Sequence, residues 1–477
     1  MPFPLLDRSR RVGAGGALFL VLSSTVTLAS AQPNPPAPDG GGIENPAPVP
    51  EPLPVLPKPA TPPTVVAPPI EPAPEVNPIT GDLYGFIEER LEAVGAEPNG
   101  DINADGTPSR SRPSLDLAIP AFHIMAQGTL YARYRYYFNL SAPDADQPTF
   151  DTPVAVRNAW LEMSIFGDYL NLRVGKLYRR FGLYNEILDT IPSFIGVETP
   201  VSISGDRPML TRTTNAMVHG KVSFGDHTVA YAATAGKDEA SPEDDVWSPG
   251  FDLRYDWNST ILIGSSYYNT AGTVGPDVAL GQGAPSGGVA PWMAHDRYQV
   301  YGAFARLTLG SFLLQGEGWI SPHHSVRDPE RVLLLAQNAQ HFSEANRQRM
   351  GVVGSTPTAD QVITGVDYTY QTIDVRAAYT FEVGGGAEPM EVTPYLNFEY
   401  VFNRESISDP DYGGDGEPGE SPRGRLIHNR VGFLFKPVPV VCLKTEFTAA
   451  LYDYGDQLAW DPEVFLSLSY QWQLIHK

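Results

Sequence analysis

Between Phe122 and Trp472 the chain repeatedly alternates apolar and polar residues in short runs. Leu130, Ala132, Tyr134, Tyr136 and Phe138 fall on one side of such a run, while Tyr131, Arg133, Arg135 and Tyr137 fall on the other. A two-residue period is that of an extended strand with two unlike faces. The connections between runs alternate between very short and long. Gly167-Asp168, Gly225-Asp226, Asn258-Ser259 and Gly310-Ser311 are hairpin-type turns. The intervening connections, such as Tyr178 to Thr214 and Asn269 to Asp296, are wide. Short turns on one side and long loops on the other define the topology of an antiparallel transmembrane β-barrel.

Counting the runs gives fourteen strands, or sixteen if the Tyr178 to Thr214 or Pro322 to Thr364 connection hides a further hairpin. A soluble sandwich or propeller is the competing all-β fold. Tyr134, Tyr136, Phe138, Trp257, Phe398, Tyr400, Phe402, Tyr470 and Trp472 share the apolar parity, as interfacial girdles of a membrane barrel do. The assignment requires Leu396, Phe398 and Tyr400 to point outward and Asn397 and Glu399 inward. A barrel meets lipid with only every second residue, which suits a hydrophobic content of 42% over 477 residues.

The remaining chain divides into three parts. Residues 1–31 carry Arg8, Arg10 and Arg11, an apolar run from Ala14 to Leu28, and Ala29-Ser30-Ala31. This is the pattern of a secretory signal peptide; a membrane anchor is the alternative. Residues 32–79 are proline-rich and cannot form a packed core. They are expected to be a disordered periplasmic linker, either a tether to peptidoglycan or a spacer without a partner. Residues 80–114 begin with Leu83, Phe86, Ile87, Leu91 and Val94 at helical spacing, which predicts a short amphipathic helix. Asp101, Asn103, Asp105 and Thr107 follow with the oxygen spacing of a calcium loop, although Arg112 stands where its last acidic ligand belongs. Calcium is therefore one reading and a polar turn the other; no other cofactor is expected. The barrel is assigned to 115–477.

A net charge of −22 without a basic tract argues against nucleic acid. The single cysteine, Cys442, excludes an internal disulfide. The water-facing parity collects Arg133, Arg135, Glu162, Arg173, Lys221, Asp252, Arg254, Asp256, Gln315, Glu317, Asp374, Arg376, Glu399, Arg430, Lys444 and Glu446. Both signs are present. Arg133, Arg135 and Arg173 are candidates for a basic stripe that favours anions, or for charges that pair across strands. The connection from Ser321 to Thr364 reads as partly helical around Val332 to Ala336. It is a candidate to narrow a pore, to cap the outside or to meet a neighbouring subunit.

The segment from Leu172 to Asn185 places Gly175 at the end of a strand and Phe181-Gly182 shortly after it. This resembles Gram-negative outer-membrane porins, most closely the phosphate-selective O/P type, with Arg180 at a position where that family commonly has proline. Phe465 to Trp472 is similar to the closing strand of such proteins, although the chain continues to Lys477. The resemblance implies an outer-membrane location, homotrimers, contact with outer-membrane lipids, and passive diffusion of small hydrophilic solutes or ions. It does not bring phosphate specificity, because no matching lysine ladder can be placed. A closed adhesin-type barrel tethered by the proline-rich arm is the alternative. A barrel enzyme is not expected: His219, His295 and His428 lack any accompanying catalytic motif.

Overall fold

The computed structural model describes residues 79–96, 98–102, 108–110, 112–131, 133–143, 154–186, 195–197, 200, 213–237, 247–273, 293–338, 358–384, 389–403, 425–454 and 457–476. The leader, nearly all of the proline-rich segment, and Asn103, Asp105 and Thr107 of the candidate calcium loop lie outside these residues, as does the side chain of Asp101.

The first strand is Ile79–Val94 (β1), and Pro98–Ile102 (β2) with Pro108–Arg110 (β3) forms a small separate hairpin. Paired strands follow: Ser114–Leu130 (β4) and Tyr134–Pro143 (β5), Ala155–Phe166 (β6) and Leu170–Tyr178 (β7), Thr213–Phe224 (β8) and His227–Ala235 (β9). Gly250–Trp257 (β10) and Ile261–Thr273 (β11), then Met293–Leu309 (β12) and Phe312–Arg327 (β13), continue the sheet. The helix Pro329–Asn338 (α1) leads to Gly365–Tyr379 (β14), Phe381–Val383 (β15), Met390–Asn403 (β16), Arg425–Val438 (β17), Val441–Tyr454 (β18) and Gln457–His476 (β19).

Neighbours pair antiparallel around the sheet, and β1 pairs with both β4 and β19, so the sheet closes on itself. The short β15 carries the β14 edge further along β16, so the wall contains 16 strands. Tight turns gather at the rim where β1 begins and β19 ends. The opposite rim carries the long connections, except that β18 and β19 are joined there by residues 455–456 alone.

Fourteen strands become sixteen through two elements that periodicity misreads. The helix expected over Asp82–Val94 is β1. Leu83, Ile87 and Leu91 are four apart, a spacing that satisfies both a helical repeat and a strand repeat. A strand bonded on both edges leaves no backbone group unpaired, and an isolated helix of this length is marginal. On β1 Phe86 points inward and stacks on His123 with ring centroids 4.5 Å apart. The barrel thus starts at Ile79 rather than at 115.

The run Phe122–Leu140, read as one strand, is the β4–β5 hairpin, turning at 131–133. The turn contains no Gly, Asn or Asp to mark it. Tyr131 itself takes the left-handed conformation, with φ of 52°.

The parity assignment is met. Leu396 and Phe398 are 58% and 43% exposed on the outer face, while Asn397 and Glu399 are 4% and 0% exposed inside. Other outer-face residues, including Leu253, Ile263, Ile373, Val431, Phe433, Val464, Leu466 and Leu468, are exposed in the same way. Such an apolar exterior on a closed sheet is the surface of a membrane-spanning barrel. Among the described residues no helix is long and apolar enough to span a membrane.

Candidate functional site: the barrel interior and its inserted segment

After β7 the chain turns into the barrel. Gly175, with φ of 132°, sits where β7 bulges away from β8, and a Cβ there would meet the Ala159 carbonyl oxygen at 2.2 Å. Three residues past the strand, Phe181 packs on Trp319 and Tyr268 of the opposite wall, at centroid distances of 4.1 and 5.1 Å. Gly182 has φ of 59°, and a Cβ on it would lie 2.7 Å from both Glu317 Oε2 and Trp319 Cζ2. The residues that carry the family resemblance are therefore those that let this segment enter and lie flat on the wall.

Hydrogen bonds then fix it. Gly182 N donates to Ser266 Oγ at 3.1 Å, Leu183 N to Glu317 Oε2 at 2.9 Å and Tyr184 Oη to Asp374 Oδ1 at 2.8 Å. Gln315 Nε2 donates to Tyr184 Oη at 3.0 Å, and Arg254 Nη2 to the Gly182 carbonyl at 3.0 Å. Further on, residues 195–197 meet another arc of wall. Arg376 donates to Ile195 O; Lys444 Nζ donates to Gly196 O at 3.1 Å; Val197 N donates to Glu446 Oε2 at 3.2 Å. Arg90 Nη2 reaches Val197 O at 3.4 Å from β1. The described residues of this stretch thus touch β10, β11, β13 and β14 through 182–184, and β14, β18 and β1 through 195–197.

Most of the expected water-facing residues line this interior, and many of them act as tethers. Asp252 and Arg254 pair at 2.6 Å, and Arg430 Nη1 donates to Glu399 Oε2 at 2.9 Å. Asn397 joins them, donating to Asp374 at 2.6 Å and accepting from Arg430 at 3.1 Å.

Three expected residues sit elsewhere. Arg133 is in the exposed β4–β5 turn, donating to Ser164 O at 3.3 Å, because the hairpin puts it at the rim and not in a strand. Lys221 is also at that rim, 3.3 Å from Asp168. Asp256 accepts from Ser259 N at 2.7 Å and closes the β10–β11 turn.

The basic stripe is centred on an acid. Glu162 is buried and takes Arg135 on one oxygen, and on the other Arg173 at 2.8 Å and His219 at 2.9 Å. The charges pair across strands, which was the other reading of these residues.

Sequence reasoning misses Glu88 and Arg90, since their strand is read as a helix; Ser467 Oγ donates to Glu88 Oε1 at 2.7 Å. It also does not point to the connection after β7, while residues 339–357 of the Ser321 to Thr364 connection lie outside the described residues. Of Ser321–Thr364, the residues up to Arg327 are β13, and Arg327 holds Ile363 O at 2.9 Å beyond α1. Among the described residues, the stretch after β7 enters the lumen.

Towards the long-connection rim, His323 is sandwiched between Tyr298 and Tyr368, at centroid distances of 4.6 and 4.4 Å. Its Nδ1 lies 2.7 Å from Asp296 Oδ2 and its Nε2 2.9 Å from Ser321 Oγ. The order of atoms is that of a hydrolytic triad. However, Ser321, His323 and Asp296 are fully buried, and Asp296 also accepts from Ser325 and from Tyr368 at 3.0 Å. The cluster ties β12, β13 and β14 together.

In class, this is a closed, membrane-spanning β-barrel with a polar interior and a segment of its own chain held within it. No family model and no curated protein matches the sequence. Among solved structures it is similar to the anion-selective porin from Comamonas acidovorans, at 12% identity over 83% of this chain and 100% of that chain, with a TM-score of 0.48. The outer membrane channel DcaP of Acinetobacter baumannii matches at 10% identity over 83% and 97%, with a TM-score of 0.47. OmpT, an outer membrane protein of Vibrio cholerae, matches at 10% identity over 83% and 99%, with a TM-score of 0.48.

Proposed function

We propose that the chain forms an outer-membrane channel for passive diffusion of small hydrophilic solutes or ions, with the Arg179–Val197 segment setting its bore. The observation that carries this reading is a segment tethered by hydrogen bonds inside a wall of 16 strands. Barrels of that size are too wide for wall side chains alone to fill, so water occupies the remainder. Refolded full-length protein in planar bilayers should give discrete conducting steps. Their absence overturns the reading.

Phosphate selectivity is not part of it, since Arg135 and Arg173 are both taken up by Glu162. The proline-rich arm would lie in the periplasm.

Assembly of several copies, expected as trimers, has separate support. Glu89 on β1 and Lys176 on β7 are exposed on the lipid-facing parity, opposite Leu468 and Ala159. Bare charges at that surface are costly in a bilayer. Contact between the β1 side of one copy and the β7 side of the next would pair them. Glu89→Lys should weaken the oligomer on native gels, and adding Lys176→Glu should restore it.

A further inference from the structure

Beside the inserted segment, the wall formed by β1, β4, β5, β6 and β7 holds a cavity of about 290 Å³. Tyr84, Gln127, Asn158, Trp160, Arg173 and Glu186 are among its lining residues. A second cavity of about 400 Å³ shares Gln127, Tyr137 and Trp160 with it and extends to Thr80, Asp82 and Arg135. The two are therefore contiguous along one arc of wall and lead towards the tight-turn rim.

Three observations define what the first cavity can hold. Its charges are already paired: Arg173 Nε donates to Glu162 Oε2 at 2.9 Å, and Arg180 and Arg254 lie 3.4 and 3.6 Å from Glu186 Oε2. An ion entering it would have to compete with these existing pairs.

One strong acceptor is left over. Asn158 is 7% exposed, and its Oδ1 has no hydrogen-bond partner among the described residues. A buried polar atom without a partner is expensive, so an occupant that donates to it is favoured over an apolar one.

The third observation is rigidity. Trp160 has the Arg173 guanidinium 3.9 Å above its ring and Tyr137 stacked on it at 5.7 Å. These two contacts hold the indole in place beside the cavity. The other groups around it, the Gln127 amide and the Tyr84 hydroxyl, both donate and accept hydrogen bonds. The volume is at the small end for ligand sites.

We infer that this cavity is a binding station for an uncharged, polyhydroxylated solute of monosaccharide size on its way through the barrel. Hydroxyl groups satisfy Asn158 Oδ1 and exchange hydrogen bonds with Gln127 and Tyr84, while the paired charges keep ions from competing. The inference rests on the channel reading and specifies a solute class for it.

The test is current block in planar bilayers with the full-length protein, adding glucose in one series and inorganic phosphate in another. Glucose should block in a concentration-dependent way and phosphate more weakly. Asn158→Leu should raise the half-blocking glucose concentration about tenfold, and Gln127→Leu, at an exposed position, should raise it in the same direction. A conducting channel that glucose leaves untouched, or that phosphate blocks better, overturns this inference and leaves the channel standing. Refolded barrels without conducting steps overturn both.

Discussion

Tyr184 donates a 2.8 Å hydrogen bond to Asp374, a residue 190 positions further along the chain and on the far wall of the barrel. That bond, with the Leu183–Glu317 bond beside it, presses the segment after β7 against β13 and β14. Removing the hydroxyl in Tyr184→Phe forfeits a buried hydrogen bond, about 1 kcal/mol or roughly fivefold in the population of the docked form. Gly182→Val should act more strongly, since its Cβ would collide with Glu317 and Trp319. Single-channel recordings should show a larger or noisier conductance for both variants, with the larger effect for Gly182→Val. Wild-type traces from both would show that the segment does not limit flow.

Glu162 offsets part of the charge of two arginines and pairs with a histidine, so Glu162→Gln should release positive charge into the lumen and move the reversal potential towards anions. Arg133→Glu should leave it nearly unchanged, because that side chain lies in an exposed turn. A salt gradient across the bilayer reads both.

Phe398 faces outward, so Phe398→Arg puts a charge against lipid at a cost of about 2–4 kcal/mol if the site is near the bilayer centre. Phe398→Leu should be nearly neutral. Folding yield into lipid vesicles under increasing urea distinguishes the two, and equal yields would place this residue away from hydrocarbon.

Closure of the sheet depends on a bare backbone position. A Cβ at Gly85 would come within 2.1 Å of His123 O and 2.3 Å of the Trp472 ring. Gly85→Val is therefore expected to abolish the compact, fast-migrating form of the unheated protein on SDS gels. A variant that migrates like wild type would show that β1 is dispensable for closure.

Burial pushes the Glu186 carboxyl up, but Arg180, Arg254 and Arg173 outweigh it and hold it below the usual carboxylate range. Its contribution to docking is therefore complete above that range and is lost only as pH falls through the lowered value. Conductance should stay level from neutral pH through ordinary carboxylate titration and change below it. A transition within the ordinary range that Glu186→Gln removes would contradict this.

The alternation of residues such as Leu396 and Asn397 made the barrel and the polarity of its two faces legible, because period two survives any sequence that keeps lipid on one side. β1 was illegible for a specific reason: Leu83, Ile87 and Leu91 fit two periods equally, and only the long-range pairing with β19 decides between them. The β4–β5 turn hid because a three-residue turn preserves parity and Tyr131 adopts a conformation usually left to glycine. Charges on the inner wall could be named from parity, but their partners could not. The Glu162 cluster joins β5, β6, β7 and β8, and no local spacing encodes which acid meets which base. The inserted segment had one visible signal, Phe181 and Tyr184 set in a connection that should otherwise be polar.

The seam between Asp82–Val94 and Glu463–His476 joins the first and last strands of the wall. Until the ribosome has released the final strand, the first has no partner on that edge and its amide and carbonyl groups remain open to mispairing. Insertion of this barrel should therefore be a late, all-or-none event, with its two outermost strands exposed to mispairing until the seam closes.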